Sequence, residues 1–285
     1  MAILPLYLWR GRPLRIVRLV GHHVGDQLGP ICRPSDRGAV SEALTAALSR
    51  FEADIFLGEH LPGDERWGAL LGAKVLTRDA SPTLRVDGAS WEEFLASRSS
   101  KLRAQIRRQE RRLAREHEIR YRLTTTQGEL QRDLDTLFSL HKSRWGSQST
   151  TFSRYEAFHR DFAACAFDRG WLRLWLLEID GQPSAAWYGF RFAGIQSFYQ
   201  GGRAPSWDKY SVGSVVLMHS IRDAFTDGML EYRFLLGAEP YKYRFATSDR
   251  GLETIGIARG VASRAALAAA IVARRSRLLK KVISP

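Results

Sequence analysis

The chain has 285 residues, 45% of them hydrophobic and 26% charged, an ordinary globular balance that excludes a disordered or fibrous protein. A formal charge of +13 points to anionic partners: nucleotide-bearing cofactors, anionic lipid, RNA or acidic glycans. Two isolated cysteines, Cys32 and Cys165, carry no disulfide or ligand spacing, so they read as small buried apolar residues and no metal site is expected.

The length allows two domains of ordinary size. The apolar run at residues 3–9 is broken by Pro5 and followed by Arg10 and Arg12, which fits a secretory leader poorly. No stretch approaches the ~18–20 apolar residues of a spanning helix, so a cytoplasmic protein is expected. Up to about residue 88, segments 15–20 and 53–57 suit strands, while 39–51 and 67–71 suit helices. Three helix starts then carry the S/T-x-x-E capping box: Ser90 with Glu93, Thr126 with Glu129, and Ser153 with Glu156.

Between the first two boxes lies a basic run, 98–122, expected as one connecting helix with Leu102, Ile106 and Leu113 on its apolar face. It is either a solvated helix docked by that face or the wall of an anion-facing groove. After Gly170 the periodicity switches to strands. Segments 171–179, 184–192 and 195–200 form a meander, turned at Asp180-Gly181 and Ala193-Gly194. A helix follows from Ser214 to Asp227-Gly228, then a strand at 230–236. The segment 261–283 is a basic, alanine-rich amphipathic helix, suited to packing on the domain or to lying on an anionic membrane surface.

Three places can carry chemistry. Gln200, Gly201 and Gly202 end a strand, and Ser211, Val212, Gly213 and Ser214 open a helix whose amides suit a pyrophosphate. A plain strand–loop–helix joint accounts for the same residues. Glu239, Tyr241 and Lys242 supply a base, an acid and an electrophile, or else a turn in which Lys242 pairs with a carboxylate and Tyr241 packs on the sheet. Arg144 and Trp145, ending a helix, line a substrate cleft unless Trp145 is simply core.

Residues 84–247 resemble the GNAT-superfamily acetyltransferases, in particular the CelD-like type associated with cellulose and exopolysaccharide synthesis, and more distantly the Fem-type peptidyltransferases. The likeness is carried by Lys101-Leu102-Arg103, Arg144-Trp145, the hairpin at 178–186, Ser211-Val212-Gly213, and Gly237 with Pro240-Tyr241-Lys242. The resemblance implies an α/β (α+β) fold of two GNAT-like lobes, each a mostly antiparallel mixed sheet flanked by helices. Residues 1–97 would be a degenerate first lobe, 98–122 the connecting helix, 123–260 the catalytic lobe and 261–285 the tail. It implies acetyl-CoA or another acyl-CoA as co-substrate, with direct attack by an amine or hydroxyl of a sugar or small-molecule acceptor. Tyr241 would protonate the leaving thiolate, Glu239 serve as base, and Lys242 bind phosphate or steady the oxyanion. The phosphate loop departs from the family pattern, since Gly213 stands where Arg/Gln-x-x-Gly-x-Gly/Ala is usual. A Fem-like reading would replace acyl-CoA by charged tRNA, and a third makes the chain a non-catalytic binder of anionic glycan or membrane.

Overall fold

The computed structural model describes residues 1–10, 14–86, 88, 90–146 and 150–275. They form two compact units that are not consecutive in the chain: Met1–Ser81, Leu236–Ala238 and the chain from Asp249 make the first, Pro82–Leu235 and Glu239–Ser248 the second.

The first unit opens with β1 (Leu6–Arg10), β2 (Arg15–Leu19), helix α1 (Arg37–Arg50), β3 (Ile55–Pro62), the short α2 (Trp67–Leu70) and β4 (Lys74–Asp79). The second unit then runs β5 (Pro82–Arg85), α3 (Trp91–Ala96), α4 (Ser100–Glu116), β6 (Ile119–Leu123), α5 (Gln127–Trp145), α6 (Thr151–Arg154) and α7 (Glu156–Asp168). It continues with β7 (Leu172–Ile179), β8 (Gln182–Phe192), β9 (Ile195–Arg203), α8 (Val212–Thr226), β10 (Glu231–Arg233), α9 (Pro240–Tyr243) and β11 (Ser248–Asp249). The chain rejoins the first unit as β12 (Leu252–Ala258) and α10 (Val261–Arg275).

The first sheet has the order β1-β2-β3-β12-β4. β2 and β3 pair in parallel, and α1 crosses between them, burying Val40, Leu44 and Leu48 against Val17, Leu19 and Phe56. α10 lies on β12, where Leu267 is buried near Gly256. The remainder of the expected tail helix, 276–283, falls outside the described residues.

The second sheet has the order β11-β5-β10-β9-β8-β7-β6. The β7–β8 turn places Asp180 (φ 50°) and Gly181 (φ 75°) in the left-handed region, which matches the twist of the two strands. Period-two alternation then serves both faces. Leu174, Leu176, Ala186 and Tyr188 pack with Leu130, Leu134 and Leu137 of α5, while Leu177, Ile179, Ala185 and Trp187 pack with Val216, Met218 and Ile221 of α8. Each lobe is thus a mixed α/β unit with a mixed sheet flanked by helices.

Several expectations change. Residues 82–97 belong with the C-terminal sheet, because β5 pairs antiparallel with β10, and 252–258 return to the first sheet between β3 and β4. The run 98–122 is not one helix: α4 stops at Glu116, and Ile119, Tyr121 and Leu123 alternate with Arg120 and Arg122 along β6. Arg122 is drawn inward to the fully buried Asp133 (2.7 Å) and to Glu178 (2.8 Å). The third capping box does not form. Thr150 caps α6 through the Ser153 N–H, and Glu156 pairs instead with Arg160 at 2.7 Å. Cys165 is exposed and Cys32 half-buried. The strand expected at 230–236 is only Glu231–Arg233.

β9 runs through Gly201-Gly202 and one residue further, to Arg203, with a bulge at Tyr199 where the register against β8 slips. Gly202 is required by packing, since a β-carbon there would lie 2.4 Å from the backbone nitrogen of His141 in α5. Gly202→Ala should therefore lower the unfolding free energy by about 1–3 kcal/mol, the usual cost of overpacking. Urea unfolding should show a lower midpoint with the slope unchanged, and an unmoved midpoint would show that α5 does not need this close approach.

Candidate active site

β9 is paired with β8 along its whole length, but it meets β10 only through Ile195, Gln196 and Ser197. From Phe198 onward no strand among the described residues borders it on that side, and the bulge at Tyr199 bends it at the same point. The freed backbone at Gly201 is held by side chains. Its N–H donates to Gln200 Oε1 at 3.0 Å, and its carbonyl accepts from Nδ1 of His141 at 3.3 Å. Burial lowers the His141 pKa, so the ring is neutral, and its Nε2 accepts from the Thr150 hydroxyl at 2.9 Å.

A cleft of about 450 Å³ opens beside this half of β9. Trp187 and Phe198, stacked at 5.6 Å between centroids, form its apolar floor with Ala186, Val216 and Leu217. Gly201, Gly202, Arg203 and Asp208 edge it, and Ser211, Gly213 and Ser214 bring in the start of α8. That helix begins with Ser211 in the left-handed region (φ 56°), and no side chain caps it. Its third and fourth amides, of Ser214 and Val215, bond back to the Ser211 carbonyl, while those of Val212 and Gly213 take no partner among the described residues. The result is an uncapped helix N-terminus facing a cleft, suited to an anion.

Two side chains complete it. Arg144, at the last turn of α5, makes no ion pair among the described residues, and its guanidinium lies 4.7 Å from the Trp145 ring centre. Partial loss of surrounding water and then the charge of Arg203 lower its pKa, while Tyr241, Glu239 and Asp208 act in the opposite sense; the residue is exposed and free to meet an anion. Arg203 is already matched to Asp208 at 2.9 Å. Tyr241, on α9, is half-buried, and its hydroxyl makes no hydrogen bond among the described residues. Burial, with Glu239 nearby, pushes its phenol up to about 12. The group therefore stays protonated at neutral pH and is available as a donor.

The cleft thus gathers Arg144, Gly201, Gly202, Ser211, Gly213, Ser214 and Tyr241 from the residues singled out in the sequence. The others lie elsewhere. Gln200 holds its neighbour's amide, Val212 is buried in the core under α8, and Trp145 is 40% exposed outside the cleft. Lys242 is buried and pairs with Glu239 at 2.9 Å, so the turn reading fits these two. Sequence reasoning missed Trp187, Phe198, Arg203 and Asp208. Inward alternation along β8 marks Trp187, but the other three need the strand to part from its neighbour.

The acetyltransferase (GNAT) domain family matches residues 100–243, half of the chain, and the chain belongs to that family. No curated protein matches it in sequence. Among solved structures it is similar to the C-terminal domain (DUF2156) of a candidate lysylphosphatidylglycerol synthetase from Agrobacterium fabrum (TM-score 0.63, 12% identity, 95% of this chain and 83% of that one). It is also similar to FemX (0.61, 10%, 89% and 84%) and to L-PGS from Bacillus licheniformis (0.58, 11%, 94% and 84%). At these identities the likeness is one of fold, two GNAT-like lobes in one chain.

The Tyr241 environment gives a spectroscopic prediction. The absorbance difference between wild type and Tyr241→Phe should lack an ionisation step at the ordinary phenol value and rise only toward about 12. A step at the ordinary value would place the hydroxyl in water.

Proposed function

We propose that this is an acyltransferase that moves an acyl group, acetyl by preference, from acyl-CoA to an amine or hydroxyl of a small-molecule or sugar acceptor, as in the CelD-like type. One observation carries the reading: the uncapped start of α8 at Gly213 and the half of β9 beyond β10 share a single cleft with Arg144, an arginine that makes no ion pair among the described residues. The residues fit a long donor with a diphosphate at one end. The Gly213 amide with Arg144 would hold the phosphates, and the slot floored by Trp187 and Phe198 would hold the arm. When bound, the thioester supplies an activated carbonyl. As the acceptor nitrogen or oxygen bonds to the thioester carbon and the carbon–sulfur bond breaks, Tyr241 would give its proton to the departing sulfur, and the proton shed by the acceptor would restore the phenol. A soluble, cytoplasmic enzyme fits this donor, and no helix among the described residues is long and apolar enough to cross a membrane.

Calorimetry with acetyl-CoA tests the reading directly. Saturable binding is expected, and its absence for acetyl- and longer acyl-CoAs sinks it. Gly213→Ala refines the test, because a β-carbon there would touch only Arg203 Cδ at an ordinary 3.5 Å. The folded protein should be no less stable, since alanine suits a helix better than glycine by roughly 0.5–1 kcal/mol. Crowding of the amide cradle should weaken acyl-CoA binding about tenfold, or ~1.4 kcal/mol.

A second reading has its own observation. Arg107, Arg108 and Arg111 stand exposed on α4 without a carboxylate partner among the described residues, a pattern suited to a phosphate backbone. It would make charged tRNA the donor. Copurified tRNA whose affinity falls steeply with salt, in a protein that ignores CoA, selects it.

A further inference from the structure

Four groups outside the cleft form a continuous hydrogen-bonded chain. His117, the residue that ends α4, places Nδ1 2.7 Å from Asp180 Oδ2 and Nε2 3.0 Å from the hydroxyl of Tyr210. The Tyr210 hydroxyl donates to Glu116 at 2.7 Å. Asp180 also accepts from the Glu118 N–H at 3.0 Å, and it sits in the β7–β8 turn. Tyr210 is 4% exposed and closes the 3₁₀ turn Pro205–Tyr210, directly before Ser211. Arg112 and Lys209 each hold their cation 4.8 Å from the Tyr210 ring centre, and Trp207 meets the imidazole edge-on at 4.8 Å.

Counting protons fixes the charge of the middle member. A phenol has one proton, and Tyr210 spends it on Glu116; a carboxylate has none. Both imidazole nitrogens must then donate, one to Asp180 and one to the Tyr210 oxygen. The chain is complete only with His117 as an imidazolium. Both acids favour their ionised forms here: hydrogen bonds from His117 lower the Asp180 pKa, and the Tyr210 hydroxyl lowers that of Glu116.

The position of this chain gives it a task. It ties the end of α4 and the β7–β8 turn to the residue before Ser211, whose left-handed turn starts α8 and brings Gly213 to the edge of the cleft. We propose that His117 is a positioning residue: as an imidazolium it fixes Tyr210, and through it the amide cradle, so that capture of the nucleotide diphosphate weakens as pH rises. Loss of one imidazole proton leaves two acceptors facing each other at one of the contacts, or forces Tyr210 to abandon Glu116. The inference rests on the acyl-CoA reading of the cleft.

The probe is coenzyme A, titrated into wild type, His117→Gln and Tyr210→Phe by calorimetry at about pH 6 and about pH 8.5, either side of the usual histidine range. Wild-type affinity should fall about fivefold or more across that interval. Ionisation of the probe's own phosphate adds negative charge and acts in the opposite sense. Both variants should bind about fivefold more weakly at the lower pH and change little with pH, with the loss in KM and not in kcat. Tyr210→Phe keeps the ring beneath Arg112 and Lys209, so it guards against a folding defect at His117. A protonated imidazole quenches a neighbouring indole, so wild type minus Trp207→Phe should show fluorescence rising with pH, and His117→Gln should abolish the rise. Variants with wild-type affinity and pH slope overturn the proposal while leaving the donor reading intact. No binding by wild type at either pH overturns the donor reading, and this inference with it.

Discussion

The second unit depends on where one strand loses its neighbour. β10 covers β9 for three residues and then stops, so the rest of β9 must satisfy its backbone by other means. Gln200 and His141 do so, one from the strand and one from α5. The same parting leaves the apolar surface of Trp187 and Phe198 facing a cleft instead of a neighbouring strand. A sheet that closed here would be more stable and would have no room for a ligand. The bulge at Tyr199 and the shortness of β10 are two forms of one constraint.

Keeping a sheet open at its centre requires firm support around it. Arg122, from edge strand β6, ties β7 through Glu178 and α5 through Asp133, whose Oδ2 accepts from both Arg122 Nη1 and the Thr124 hydroxyl at 2.7 Å. Across the sheet, Arg191 of β8 reaches Asp223 and Asp227 near the end of α8 and also donates to Gln196. Buried ion pairs contribute little net stability, because desolvation offsets much of their attraction. Breaking one, however, leaves a stranded charge at a cost of about 3–5 kcal/mol. Their use here is to forbid alternatives. A slip of β6 or α8 by one residue would strand these charges, so helices and strands stay in register while one edge remains open.

Much of this architecture was legible in the chain. The meander followed from Asp180-Gly181, Ala193-Gly194 and the alternation between them, because those signals are local. The Ser90–Glu93 box was legible for the same reason: both halves form within four residues. What failed depended on distant partners. Residues 119–123 carry two arginines, Arg120 and Arg122, in a basic run that hides a strand until β7 and Asp133 are placed beside them. Ser153–Glu156 lost to an earlier cap at Thr150. In the site, Gly213 was marked by a glycine at a helix start and Tyr241 by a local acid–base cluster after a strand, whereas Arg203 and Asp208 come to the cleft only because β9 parts from β10. Gly202 lines the cleft, but the close approach it permits is to α5, where its missing side chain makes room for helix backbone.

The strongly basic composition explains less of the site than it suggests. Most of the excess charge is spread over exposed helix faces, where it is screened within about 8–10 Å at ordinary salt. The helix terminus is also modest by itself, worth typically 0.3–1 kcal/mol toward an exposed charge. What distinguishes the cleft is the arrangement within it. Arg203 is paired with Asp208, and Lys242 with Glu239, but Arg144 makes no ion pair among the described residues and stands beside a helix start that lacks a cap. Each of these deficits costs something in the free protein, and a single anion bound between them would relieve both. A diphosphate has charge enough for the arginine and oxygens enough for the amides, which is why the local pattern of unmet needs, rather than the net charge, argues for the kind of donor.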